Sequence, residues 1–217
     1  MRIHLLKTIG GLFDKRLLCF ALFSRGGGGG ALWRLILCVL CGVLPLTLMA
    51  GSPSPQEVPL LNEERNPVRL GDYRKQNKVM VLFFVASTCP VTKLYWDRIK
   101  TAWEGLREQG AALILVGGNT DDSIQKVREI LDERELEMRL VWDGKRILAK
   151  IFGVQFTPEV VVLGRNWEVY YRGRIDDHWR NSGAVKKNYL EDAVRGALEG
   201  RKSQDHVDDG FMGSRLR

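Results

Sequence analysis

Four cysteines occur in the 217 residues, and Cys89 is the one placed where a thiol can do chemistry. It lies within VMVLFFVASTCPVTK, residues 79–93, where an apolar and aromatic run over 79–85 reads as a fully buried strand. Cys89-Pro90 then falls where that strand must hand over to a helix. Unpaired N–H groups and the macrodipole at a helix N-terminus favour an anion, so a thiolate there is stabilised. Such settings bring a cysteine from about 8.5 down to roughly 3.5–7.5. Pro90 suits the first helical turn, which needs no N–H donor and already has its φ. The competing reading is that of a small buried hydrophobe, the commonest fate of a free cysteine; the proline-led junction argues against it.

The other three cysteines lie in a different kind of sequence. Residues 31–50, ALWRLILCVLCGVLPLTLMA, follow a basic leader and five glycines, Gly26 to Gly30, and run into Gly51-Ser52-Pro53. Basic region, apolar core and small-residue exit form the pattern of a secretory signal cleaved after Ala50. An uncleaved anchor, a membrane attachment through residues 31–50, is the alternative, although the stretch is short against the roughly 17–25 residues of a spanning helix. Either way the remainder is expected outside the cytoplasm, in the periplasm or cell envelope. Cys38 and Cys41 make a C-x-x-C inside the apolar segment, where neither redox nor metal chemistry is useful, and Cys19 lies in the leader. A protein cut after Ala50 keeps a single cysteine and forms no internal disulfide.

The charge of +7 follows the same division. Arg2, Lys7, Lys15, Arg16, Arg25 and Arg34 oppose Asp14 alone, so +5 of it belongs to residues 1–50. The basic excess is a targeting feature, and no nucleic-acid partner is expected.

The elements that must position Cys89 follow from periodicity. Residues 51–67, rich in Pro, Ser, Glu and Asn, read as a linker, and the domain proper as 68–200. After Cys89, apolar residues recur at Val91, Leu94, Tyr95, Ile99, Ala102, Trp103 and Leu106, a helix ended by Gln109-Gly110. A strand over 111–116 precedes Gly117-Gly118-Asn119. Asp121 and Asp122 are candidate caps of a helix over 123–134, with no chemistry assigned to them. A strand over 138–142 and a short helix over 146–152 follow. Next come Phe156-Thr157-Pro158-Glu159, a buried strand over 160–163, a hairpin to 167–172 and a last helix over 187–199. Residues 201–217, polar and glycine-containing, are expected to be a disordered tail. Buried strands alternating with helices imply a three-layer α/β sandwich, and the closing hairpin makes its sheet mixed. Ligands of such sheets gather at the carboxyl ends of the parallel strands, where Cys89 lies.

The sequence resembles the thioredoxin-fold redoxins of the alkyl hydroperoxide reductase and thiol-specific antioxidant superfamily, over residues 68–199. The motifs that carry it are VLFFVASTCP, the crossover with an extra helix after the second strand, FTPEVVVL, and YYRGRIDD at 170–177. The resemblance implies a thioredoxin-like fold with Pro158 as a cis-proline beside the reactive sulfur. It further implies that the Thr157 backbone pairs with an extended substrate. Two departures matter. Thioredoxins carry C-x-x-C, whereas Cys89-Pro90-Val91-Thr92 puts a hydroxyl at the resolving position; Thr92 can steady a thiolate but cannot release a mixed disulfide. Typical peroxiredoxins carry P-x-x-x-T-x-x-C, whereas Leu82 and Ala86 stand here, so Ser87 or Thr88 would have to orient a peroxide.

Two readings of function remain. One is a single-cysteine thiol redox protein, in which Cys89 attacks a disulfide or a peroxide and an external thiol or thioredoxin-like reductant resolves the product. The other is a non-catalytic thioredoxin-fold binding module at the cell envelope. The candidate site is Cys89, Thr92, Thr157, Pro158 and Arg174, with Arg174 as a group that could stabilise the thiolate. The bland alternative for Arg172, Arg174, Asp176 and Asp177 is a charged strand end with local ion pairs. No cofactor and no metal is expected: His178 alone is a poor partner for one thiol, and no phosphate loop or triad is present.

Overall fold

The computed structural model describes residues 54–74, 77–202 and 213–217. The signal or anchor expected in residues 1–50 lies outside them. Among the described residues no helix is long and apolar enough to cross a membrane.

Strand β3, Val79–Phe84, is the centre of the fold because all six of its side chains are buried, none more than 1% exposed. Alternation sends Val79, Val81 and Phe83 into one core and Met80, Leu82 and Phe84 into the other. Each such side chain contributes about 1.5–3 kcal/mol on burial. Helix α1, Pro90–Glu108, leads to β4, Ala111–Gly117, which lies parallel to β3. Helix α2, Ile124–Glu133, leads to β5, Arg139–Trp142, parallel to β4. Helix α3, Ile147–Phe152, and the two-residue β6, Phe156–Thr157, precede β7, Glu159–Leu163. The crossover from β4 to β7 therefore carries two helices, as the extra-helix pattern implied. Strand β8, Val169–Gly173, and helix α4, Tyr189–Leu198, complete the core. Helices α1, α2 and α4 pack on the Val79/Val81/Phe83 face, and α3 on the other.

Three differences from the sequence-based expectations concern chain ends and helix faces. The 51–67 stretch is more than a linker: β1, Pro59–Leu61, pairs with β2, Pro67–Arg69, and extends the sheet to the order β2-β1-β5-β4-β3-β7-β8. Val58 and Leu60 are buried there, two apolar residues too few to show a period. On α1, Leu94 is 49% exposed while Trp96 and Thr92 point inward. The tail expected to be disordered is ordered at its far end, where β9, Ser214–Arg215, pairs antiparallel with β6. Residues 203–212 lie outside the described set.

Candidate active site

Cys89 is the N-cap of α1, with extended backbone (φ −76°, ψ 119°) and Pro90 in the first turn. Its sulfur receives the Thr92 N–H at 3.5 Å, so the helix terminus acts on it directly. The thiol in turn donates to the Thr157 carbonyl at 3.0 Å. The Thr157-Pro158 peptide bond is cis. The Thr92 hydroxyl is buried without a hydrogen-bond partner of normal geometry, yet it lies close enough to favour the charged sulfur. A third donor comes from an unexpected quarter, the Ser214 N–H at 3.4 Å. Burial alone pushes the Cys89 thiol up. Hydrogen bonding from the Ser214 side chain, the Thr92 backbone and hydroxyl and the Thr157 hydroxyl outweighs it, bringing the thiol from an ordinary 9.0 down to about 7. The sulfur therefore ionises more readily than that of an ordinary cysteine.

Cys89, Thr92, Thr157 and Pro158 are thus gathered at one point. Arg174 stands to the side, in a small cleft lined by Tyr95, Pro158, Ile175, Asp176 and Trp179. Its guanidinium lies 5.7 Å from the Tyr189 ring and makes no hydrogen bond to the sulfur. It shares the proline's wall rather than the thiol's bonding set.

The loops around the sulfur are fixed by three carboxylates, Glu159 and Asp176 buried and Asp122 half-buried, in roles the sequence did not show. Asp122, expected as a cap, is not one; Ser123 caps α2. Asp122 instead accepts the Ser87 N–H at 2.6 Å and the Ser87 hydroxyl at 2.5 Å, tying down the loop that leads into Cys89. Glu159, 2% exposed, accepts the Gln155 and Phe156 N–H groups at 3.1 and 3.3 Å and pairs with Arg172 at 3.3 Å. Arg172 also donates to the Phe152 and Gly153 carbonyls. The segment before Pro158 is held from both sides. Asp176 accepts from the Tyr95 hydroxyl, the Arg98 guanidinium and the His178 N–H, each within 2.9 Å. Burial and the Asp176 hydrogen bond push the Tyr95 phenol far up, so it remains a neutral donor. The motif signal for both clamps was present: T-P-E and R-G-R-I-D-D each place one carboxylate where the backbone needs an acceptor.

Ser87 is consequently committed to Asp122, and Thr88 is exposed. Among the described residues Cys89 is the one cysteine, and no group of three or more His, Cys, Asp or Glu could hold a metal.

The Cys89 thiol thus lies at a helix N-cap beside a cis Thr-Pro bond. The sequence profile of the AhpC/TSA family matches residues 52–177, more than half of the chain. The chain belongs to the AhpC/TSA family. Among curated proteins none matches it. Among solved structures it is similar to a hypothetical protein from Sinorhizobium meliloti 1021, at 18% identity and TM-score 0.64, over 76% of this chain and 92% of that one. An uncharacterized conserved protein from Geobacillus kaustophilus matches at 23% identity and TM-score 0.61, over 77% and 93%. A putative thiol:disulfide interchange protein DsbE from Chlorobium tepidum matches at 18% identity and TM-score 0.51, over 68% and 96%. This AhpC/TSA chain therefore has the thioredoxin-like fold, with the mixed sheet that the order of its elements implied.

Proposed function

We propose that this protein is a single-cysteine thiol redox protein whose preferred substrate is a disulfide. The observation that carries the proposal is the Cys89 sulfur: an N-cap thiol near neutrality, hydrogen-bonded to the residue that precedes a cis-proline. A disulfide is favoured over a peroxide because the Ser87 hydroxyl, a candidate for orienting a peroxide, is held by Asp122. The Cys89 thiolate attacks one sulfur of the substrate disulfide. A Cys89–substrate S–S bond forms, and the other substrate sulfur leaves as a thiolate that takes a proton from water. The described residues hold no second thiol, so an external thiol attacks the mixed disulfide and regenerates the Cys89 thiolate. That attack joins the external sulfur to the substrate sulfur, and a second external thiol then displaces the substrate as a thiol, leaving the two external sulfurs joined as a disulfide. Family membership supports thiol redox chemistry in general, and the order of basic and apolar residues in 1–50 supports action in the periplasm or cell envelope.

The test is to offer the full chain oxidised glutathione or hydrogen peroxide in turn and weigh the Cys89 peptide by mass spectrometry. A glutathione adduct that an added dithiol removes is the expected result. A dimedone-trappable sulfenic acid with peroxide, and no adduct with the disulfide, would make the substrate a peroxide. A Cys89 inert to both would replace the redox reading with the binding module.

A further inference from the structure

The position beside Thr157-Pro158 where an extended substrate would pair already holds a strand of this same chain. Thr157 faces Ser214 and Phe156 faces Arg215 in antiparallel register. The Leu216 N–H donates to the Gln155 carbonyl at 2.9 Å, and the Thr157 hydroxyl to the Ser214 carbonyl at 3.4 Å. The same segment reaches across to the loop after β4: the Arg217 N–H donates to the Asn119 side chain at 2.7 Å, and the Thr120 N–H to the Arg217 carbonyl at 2.9 Å. Leu216 packs on the core beneath, and the Arg215 guanidinium lies 5.7 Å from the Phe156 ring. Residues 213–217 thus cross the carboxyl end of the sheet directly over the sulfur, and Cys89 is 0% exposed beneath them.

We propose that residues 213–217 are a built-in, non-reacting occupant of the substrate position, which an incoming disulfide peptide must displace to reach Cys89. Main-chain bonds supply the affinity, as in other cases of strand addition, and side chains supply the fit. Ser214 stands where a substrate would present its half-cystine. It carries an oxygen, with which Cys89 can form no S–S bond. Gly213 fits because a Cβ there would overlap the Thr157 carbonyl oxygen. The segment also describes the class of peptide that competes with it: a small residue, the reacting cysteine, a cation over Phe156, then an apolar side chain. The disulfide substrate and the sequence of the competing peptide rest on the disulfide-exchange reading; the covering of Cys89 by residues 213–217 does not.

The experiment compares alkylation of Cys89 by iodoacetamide, followed on its own peptide by mass spectrometry, in the full chain, in the chain ended after Met212, and in the Gly213→Val full chain. Both variants are expected to react at least about ten-fold faster at pH 9, since access scales with the open fraction. A synthetic Gly-Ser-Arg-Leu-Arg peptide is expected to slow the shortened chain again, and its Arg→Glu version to do so less well. Equal rates in all three proteins, or no protection by the peptide, would overturn the proposal. A shortened chain that alkylates fast but takes up no glutathione would leave the closure standing and remove the redox reading instead.

Discussion

The two ends of the central sheet differ in almost every property by which a site is usually sought. At the amino end of the parallel strands, Tyr73, Trp103, Arg107, Leu113 and Arg139 line a cavity of about 310 Å³. Its arginines lie over aromatic rings, Arg107 on Trp103 and Arg139 on Tyr73, and it holds no nucleophile. At the carboxyl end a cleft of about 10 Å³ lies beside Pro158, and the Cys89 sulfur is covered. Volume does not locate chemistry here. What distinguishes the carboxyl end is that main-chain groups converge on one sulfur while carboxylates, buried at Glu159 and Asp176 and half-buried at Asp122, hold the loops that carry them.

That contrast can be broken or sharpened by substitution. Cys89→Ser is expected to abolish glutathione uptake at residue 89 completely, as weighed on its peptide. Next in size is Glu159→Gln, which leaves Arg172 without its carboxylate and loosens the loop before Pro158. Breaking a buried pair of this kind is expected to cost about 3 kcal/mol, read as a lower urea midpoint with unchanged slope. A comparable linkage appears with pH. The Cys89 pKa is depressed on folding, so its contribution is full above the ordinary value of 9.0 and lost as pH falls through about 7. Wild type should therefore gain up to about 3 kcal/mol over Cys89→Ala between pH 6 and pH 10, by denaturant titration at each pH. Smaller again, Thr92→Val keeps shape and removes the hydroxyl, and is expected to move the alkylation midpoint up by less than about one pH unit. At the opposite end of the sheet, Arg107→Ala should change stability by no more than about 0.5 kcal/mol and leave that midpoint where it is.

Much of this was legible in the sequence for a physical reason: buried parallel strands and amphipathic helices write their burial into the order of residues. Residues 79–85 read as a buried strand, which runs over Val79–Phe84, and Cys89-Pro90 as a junction. Pro158 as a cis residue came from resemblance, since local chemistry does not distinguish it from a trans strand-start proline. The roles that did not show share one property: they are held by hydrogen bonds rather than by apolar burial. Asp122, Glu159 and Asp176 look like ordinary charges until the backbone N–H groups they satisfy are in view. Strand β9 is polar and two residues long, and nothing in Gly213-Ser214-Arg215 announces a partner 57 residues away. The Pro59–Leu61 strand has one buried side chain and the same silence.

The placement of β3 has a consequence for how the molecule breathes. Its residues are paired to β4 along one edge from Val79 to Phe84 and to β7 along the other from Met80 to Phe84. No partial opening frees such amides, so deuterium should enter them only when the whole domain comes apart, and their protection should report its global stability. Strand β9 is paired on one side and over two residues, so its amides should exchange many orders of magnitude sooner. A single labelling series would then time both events: the frequent lifting of the segment above the sulfur, and the rare loss of the sheet beneath it.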